Sequence, residues 1–223
     1  MCVSWLRSSI GKKALMAVSG LVLVAFLISH LLGNLLIFGG PDALNAYGAK
    51  LRHLGGLLWA ARVFLIVTAV VHITTSVQLA IENRRARPQR YRMQRYAETT
   101  PAARAMLVSG LLVLAYLVYH LLHFTFRVTN PDLSHSVDAL GRHDIYTMVV
   151  RSFQQPPIAL AYIAAMACVC LHLSHGVASA FQTLGFTTER TIPVLSWISR
   201  LFALMVFLGY CAIPVAVLSG IVR

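Results

Sequence analysis

Five stretches of about 20 or more mostly apolar residues, each long enough to cross the hydrocarbon core of a bilayer, constrain this chain more than any other feature. They run approximately over Ala14 to Phe38, Leu57 to Ile81, Ala105 to Phe126, Ile158 to Phe181 and Leu201 to Val222. With 58% hydrophobic and only 12% charged residues, the composition excludes an ordinary soluble domain. What remains is loop, so residues 1–223 are expected to form one all-α membrane domain of five transmembrane helices, the first four making a bundle. The first span follows Arg7, Lys12 and Lys13 as a signal peptide would, but it is long for one and carries His30 and Asn34, so it is read as a retained helix. Pro214 within the fifth span is tolerable, because neighbouring helices can satisfy the carbonyl it frees.

Orientation follows from where Lys and Arg fall. Arg7, Lys12, Lys13, Arg84, Arg85, Arg87, Arg90, Arg92, Arg95, Arg104, Arg190 and Arg200 lie on the N-terminal side, which makes twelve. Lys50, Arg52, Arg62, Arg127, Arg142, Arg151 and Arg223 lie opposite, which makes seven. The N-terminus is therefore expected in the cytoplasm and the C-terminus outside. The basic stretch from Arg84 to Arg104 has no fold of its own, and insertion topology accounts for it without nucleic acid; a docking face for a soluble partner is the better expectation. Cys2, Cys168, Cys170 and Cys211 include no CxxC pair.

Ionisable side chains at membrane depth mark functional sites by default, and each of the first four spans holds a histidine there: His30, His72, His120 and His172. A rise of about 1.5 Å per residue places His30 about 12 Å and His120 about 9 Å from the outer end of their spans. His72 and His172, in spans running inward, lie about 21 to 23 Å from it. The four fall into two layers of two. Neutral imidazoles above and below an iron leave no open position, which suits electron transfer, and two haems stacked in this way would carry electrons across the bilayer. A zinc site would instead gather its ligands in one place. Gly33 near His30, Ala69 and Ser76 near His72, and Cys168 and Gly176 near His172 offer room beside the rings, whereas His120 has the bulkier Tyr116 and Phe124. His123 and His175 each lie three residues beyond His120 or His172, and depth alone does not choose between the members of either couple.

Local strings add a resemblance that spans nearly the whole chain. SSIGKKALMAVSG leads to HLLGNL at His30; NAYGAKLRHLGGLLWAARV starts at Asn45; VVHITTSVQL surrounds His72; YHLLHFTF surrounds His120; LHLSHGVASAFQTLGF follows from Leu171. In this order and spacing they resemble the single-chain, five-helix, di-haem cytochrome b subunit of succinate dehydrogenases and fumarate reductases. The resemblance implies two haem b groups stacked within the first four helices. The first histidine of HLLHF and of HLSHG would be ligands, which favours His120 over His123 and His172 over His175. Axial pairs would then be His30 with His120 in the outer layer and His72 with His172 in the inner one. It also implies a multi-pass protein of the bacterial cytoplasmic membrane. A flavoprotein carrying FAD and a subunit carrying iron–sulfur clusters would dock on its cytoplasmic face. A quinone, favoured to be menaquinone, would react near the outer haem. If electrons cross most of the bilayer, the reaction can couple to membrane potential.

Quinone head groups leave no spacing signature. Asn34, Asn45, Tyr47, Arg52 and His53 are candidate contacts near the outer mouth, while Asn45 and Tyr47 serve equally to cap or pack the first outer loop, and Arg52 and Arg62 to pair with haem propionates. The outer-side glutamate of some fumarate-reducing relatives has no counterpart: Glu82, Glu98 and Glu189 lie on the inner side, and the outer acids are Asp42, Asp132, Asp138 and Asp144. Two rival functions remain from the residues alone. One is a haem-free scaffold or transporter with a histidine relay; the other is the haem subunit of a different quinone-linked enzyme, such as a hydrogenase or formate dehydrogenase.

Overall fold

The structure, a computed structural model, describes residues 8–86, 101–129, 131–133 and 136–223. Cys2 and Arg7, and within the basic loop Arg87, Arg90, Arg92, Arg95 and Glu98, lie outside the described residues. Helix α1 covers Ser9–Leu35 and starts where the Ser8 hydroxyl accepts from Gly11 N–H. After a short 3₁₀ turn over Leu36–Gly39, Gly40 takes φ +88°, a backbone only glycine adopts without strain, and redirects the chain into α2, Gly40–His53, with Pro41 in its first turn. A second left-handed glycine, Gly55, starts α3, Gly56–Arg85.

A single turn at Pro101–Arg104 precedes α4, Met106–His120, which widens into a π-helical turn over Leu121–Thr125. Asp144 caps α5, Ile145–Phe153, by accepting from Thr147 N–H. Helix α6 covers Pro156–Thr183 and α7 covers Thr191–Leu218. The described residues thus hold five helices or helix runs long and apolar enough to span a membrane, and no strand beyond an isolated bridge between Val137 and His143.

The helix boundaries correct the sequence reading in three places. The fifth helix begins at Thr191, well before Leu201, because Arg200 is accommodated inside the helix instead of ending it, and it closes at Leu218. Continuous helix also runs past Ile81 to Arg85, since the polar end of α3 stands clear of the apolar stretch. Helices α2 and α5 occupy what composition marks as loop. They pack against each other and cover the ends of the bundle on the side where α1 finishes.

Packing is uneven in a way that matters for the site. Helix α1 packs on α3 and on α6, α4 packs on α6, and the most extensive helix interface is that of α6 with α7. The fifth helix is therefore an integral wall and not an appendage to four others. By contrast α1 with α4, and α3 with α6, make no extensive contact. The core lies between α6 and α7 and beneath α5, where Ala159, Ala203 and Val206 are fully enclosed. Most of α3 faces outward with Leu57, Trp59, Val63, Phe64, Ile66 and Val67 exposed, as a lipid-facing helix would. An ion pair between Lys12 and Glu82 ties the start of α1 to the end of α3.

Candidate functional site

Histidines face each other across two helix pairs that make no extensive contact, α1 with α4 and α3 with α6. His30 of α1 and His120 of α4 have ring centroids 5.9 Å apart at 84°, and His72 of α3 and His172 of α6 have centroids 6.4 Å apart at 75°. Two imidazoles bonding one metal from opposite sides at about 2.0–2.1 Å place their centroids about 6.4 Å apart, so both pairs fit an axial arrangement. No three His, Cys, Asp or Glu side chains converge among the described residues, so the histidines come in twos and not as a tetrahedral cluster. We call the pair nearer the Ser9 end of α1, His72 with His172, the inner pair, and His30 with His120 the outer pair.

Layering is visible through two glycines. A Cβ on Gly20 would lie 3.1 Å from His72 Cε1, and one on Gly110 would lie 3.3 Å from His172 Cε1. Gly20 precedes His30 by ten residues on α1, and Gly110 precedes His120 by ten on α4. The inner pair is therefore about 15 Å from the outer pair along both helices.

Each inner ring is held by its Nδ1. His72 Nδ1 lies 3.0 Å from the Met16 carbonyl, which can only accept, so Nδ1 carries the proton and Nε2 holds the lone pair. Ser19 Oγ stands 3.4 Å from the same atom, and Ser109 Oγ stands 3.2 Å from His172 Nδ1. The outer pair is held by rings. Phe26 stacks on His30 at 5.3 Å, and Tyr116, Phe124 and Tyr162 surround His120. His120 Nδ1 is buried without a hydrogen-bond partner among the described residues. An imidazole nitrogen left so inside a membrane span is costly and suits a ring whose partner is a bound group.

The neighbouring histidines part company with these pairs. His123 is 1% exposed, and its Nδ1 pairs with the Tyr162 hydroxyl at 2.9 Å while its ring stacks on Phe124 at 4.1 Å. The π turn contributes: its residues advance less round the axis than α-helical ones, which moves His123 away from the side of the helix that His120 faces, though both rings still reach Phe124 and Tyr162. His175 is partly buried one turn beyond His172 on α6.

Several expected neighbours move to other roles. Gly33 does not make room beside His30; its Cβ would stand 2.6 Å from Tyr47 Cε1, so the glycine admits the Tyr47 ring of α2. Asn34 donates to the His30 carbonyl at 2.6 Å within its own helix. Arg52 and His53 are exposed at the end of α2. The small residues that do abut the inner rings, Ser19 with Gly20 and Ser109 with Gly110, were not singled out from the sequence. The signal was present as a repeat: Met16-Ala17-Val18-Ser19-Gly20-Leu21 ending in His30-Leu31-Leu32 matches Met106-Leu107-Val108-Ser109-Gly110-Leu111 ending in His120-Leu121-Leu122 at a shift of 90, differing within these strings only at Ala17 against Leu107.

Asn45 takes the packing role of its two candidate roles. Buried at 1% exposure, it donates to Asp144 Oδ1 at 3.1 Å and to Asp138 Oδ2 at 3.3 Å and accepts from Tyr146 N–H at 3.0 Å, stitching α2 to α5. Arg142 completes the stitch, bonding Asp138 and Asp42 at 2.8 Å each. Burial alone would raise the Asp138 carboxyl, but bonds from Arg142 and the Leu140 N–H hold it below the usual range. Asp144 is depressed likewise against its own burial, by Thr147 and Asn45.

Both folded-state values lie below the unfolded value of about 3.9, so the charged forms stabilise this end of the bundle above about pH 4, and that stability is lost as pH falls through the folded values. Thermal melting in detergent is expected to hold steady down to about pH 4.5 and to decline below it, with the decline reduced in Asp138→Asn. Asn45→Ala, which strands the Tyr146 N–H, is expected to cost about 1–3 kcal/mol in the same assay.

Comparison with models of known protein families, with curated proteins and with solved structures finds no match.

Proposed function

We propose that this chain is the di-haem b membrane anchor of a succinate:quinone oxidoreductase, carrying electrons between cytoplasmic iron–sulfur and flavoprotein subunits and membrane quinone. The observation that carries the di-haem part is geometric. Two facing histidine pairs, about 15 Å apart along α1 and α4, sit on helices that otherwise keep apart. His30 with His120 would hold one haem, and His72 with His172 the other. A b haem held by each pair would supply reversible one-electron transfer between the two faces of the membrane.

The chain's own residues do the holding. Protonated Nδ1 on His72 leaves its Nε2 lone pair for the metal, and the aromatic collar of Phe26, Tyr116, Phe124 and Tyr162 keeps water from the outer pair. The identity of the enzyme rests on the sequence strings quoted above. The docking face rests on charge: Lys12, Lys13, Arg84, Arg85, Arg104, Arg190 and Arg200 all fall on the side where α1 begins. Under the positive-inside rule that side is the cytoplasm. Reaction with menaquinone near the outer pair rests on the resemblance.

The test is purification of the tagged chain from its native membrane. Co-purification of a flavoprotein and an iron–sulfur subunit, with succinate reducing b-type absorbance, is the expected result. A different dehydrogenase partner would assign the haems to another enzyme, and a haem-free preparation would favour the scaffold or transporter.

A further inference from the structure

The repeat at a shift of 90 residues joins two features that no single helix explains. In each copy the Ser-Gly step lies ten or eleven residues before an outer histidine and touches the inner histidine of the next membrane-spanning helix, Ser19 and Gly20 against His72, Ser109 and Gly110 against His172. The same ring atoms, Cε1 and Nδ1, meet the glycine in both copies. Both serines are buried, at 6% and 2% exposure, and both use their own proton on helix carbonyls: Ser19 donates to Leu15 and Ser109 to Met106. Their oxygens are thereby left to take a share of the histidine Nδ1–H, which at His72 also reaches the nearer Met16 carbonyl at 3.0 Å. Met16, whose equivalent in the repeat is Met106, presents its backbone carbonyl to His72 Nδ1 at 3.0 Å.

We propose that Ser19 and Ser109 are positioning residues for the inner centre, duplicated second acceptors for the Nδ1 proton of His72, which Ser19 shares with the Met16 carbonyl, and of His172, and that they so tune the basicity of both ligands of one haem and of neither ligand of the other. The proposal rests on the di-haem reading. Accepting an Nδ1–H fixes the tautomer and makes the ligating nitrogen a stronger donor, which favours the oxidised metal. Loss of either hydroxyl is therefore expected to raise the midpoint potential of the inner haem. Ser109, at 3.2 Å, is expected to act more strongly than Ser19, at 3.4 Å.

The experiment is a potentiometric titration of the intact complex in its membrane, followed by optical and electron paramagnetic resonance spectra. The inner component is identified as the one absent from His172→Ala. Ser109→Ala and Ser19→Ala should each move the inner midpoint upward and shift its low-spin ferric signal, leaving the outer component in place. Ser109→Thr, which restores the hydroxyl, should return both to wild-type values. Ser152→Ala removes a buried hydroxyl bonded to the Met148 carbonyl of α5 and should move neither haem. An inner midpoint unchanged in both alanine variants of a two-haem protein, or a shift that Ser109→Thr fails to restore, overturns this inference alone. A wild-type complex without haem overturns the proposed function and this inference together.

Discussion

His120→Ala is expected to remove one of two haems per chain and leave the other with its spectrum intact, and His30→Ala is expected to give the same product. These two rings face each other at 5.9 Å across helices that have no other extensive contact, so under the proposed function losing either would remove an axial ligand that nothing nearby replaces. His72→Ala and His172→Ala should remove the complementary haem. Independence of the two losses follows from the separation of about 15 Å between the pairs. His123→Ala and His175→Ala should keep both haems, because His123 is engaged with Tyr162 and Phe124 and His175 stands a turn away from the facing pair. Haem quantified per chain in the six single variants checks the assignment. It is wrong if His123→Ala or His175→Ala loses a haem that His120→Ala or His172→Ala retains.

Gly20→Val and Gly110→Val are each expected to lower haem content from two toward one without touching a ligand. A Cβ at either position already meets the facing imidazole at 3.1 to 3.3 Å, and branched methyls have no space short of displacing the ring. Overpacking of this kind costs about 1–3 kcal/mol where the structure can yield. Here the element that yields is the ligand itself. Alanine at the same positions asks for a few tenths of an ångström and should perturb the inner spectrum while retaining the haem. Gly33→Ala makes the contrast, since its clash is with Tyr47, and it should lower thermal stability while leaving two haems in place. Retention of both haems at full stability in Gly20→Val and Gly110→Val would contradict the inner geometry.

The membrane helices were legible because hydropathy over about 20 residues is a long signal that single side chains barely alter. The exception is instructive: Arg200 looks like a boundary in a linear reading, yet α7 begins nine residues before it and runs through it, since one long, exposed charged side chain costs little when it reaches the interface. That the His30 ring stands beside His120 and the His72 ring beside His172 was legible too, because depth along a helix is simple arithmetic.

Rotation about the helix axis was not. Assigning Gly33 to His30 assumed that i+3 neighbours share a target, whereas the residue faces α2, an element that composition had not revealed. The serine acceptors were hidden for a related reason, for a serine in an apolar helix bonds its own helix carbonyl whether or not a histidine stands opposite. Only comparison of α1 with α4 exposes them. His123 was ambiguous because nothing in LLHFT announces a π turn.

The central claim is that two haems sit between these four histidines, and a reduced-minus-oxidised optical spectrum of the purified protein, with haem quantified per chain, tests it most directly. Two low-spin b-type haems per chain, both reducible by succinate in the assembled complex, are the predicted result. A correctly folded, membrane-inserted protein without haem would contradict it.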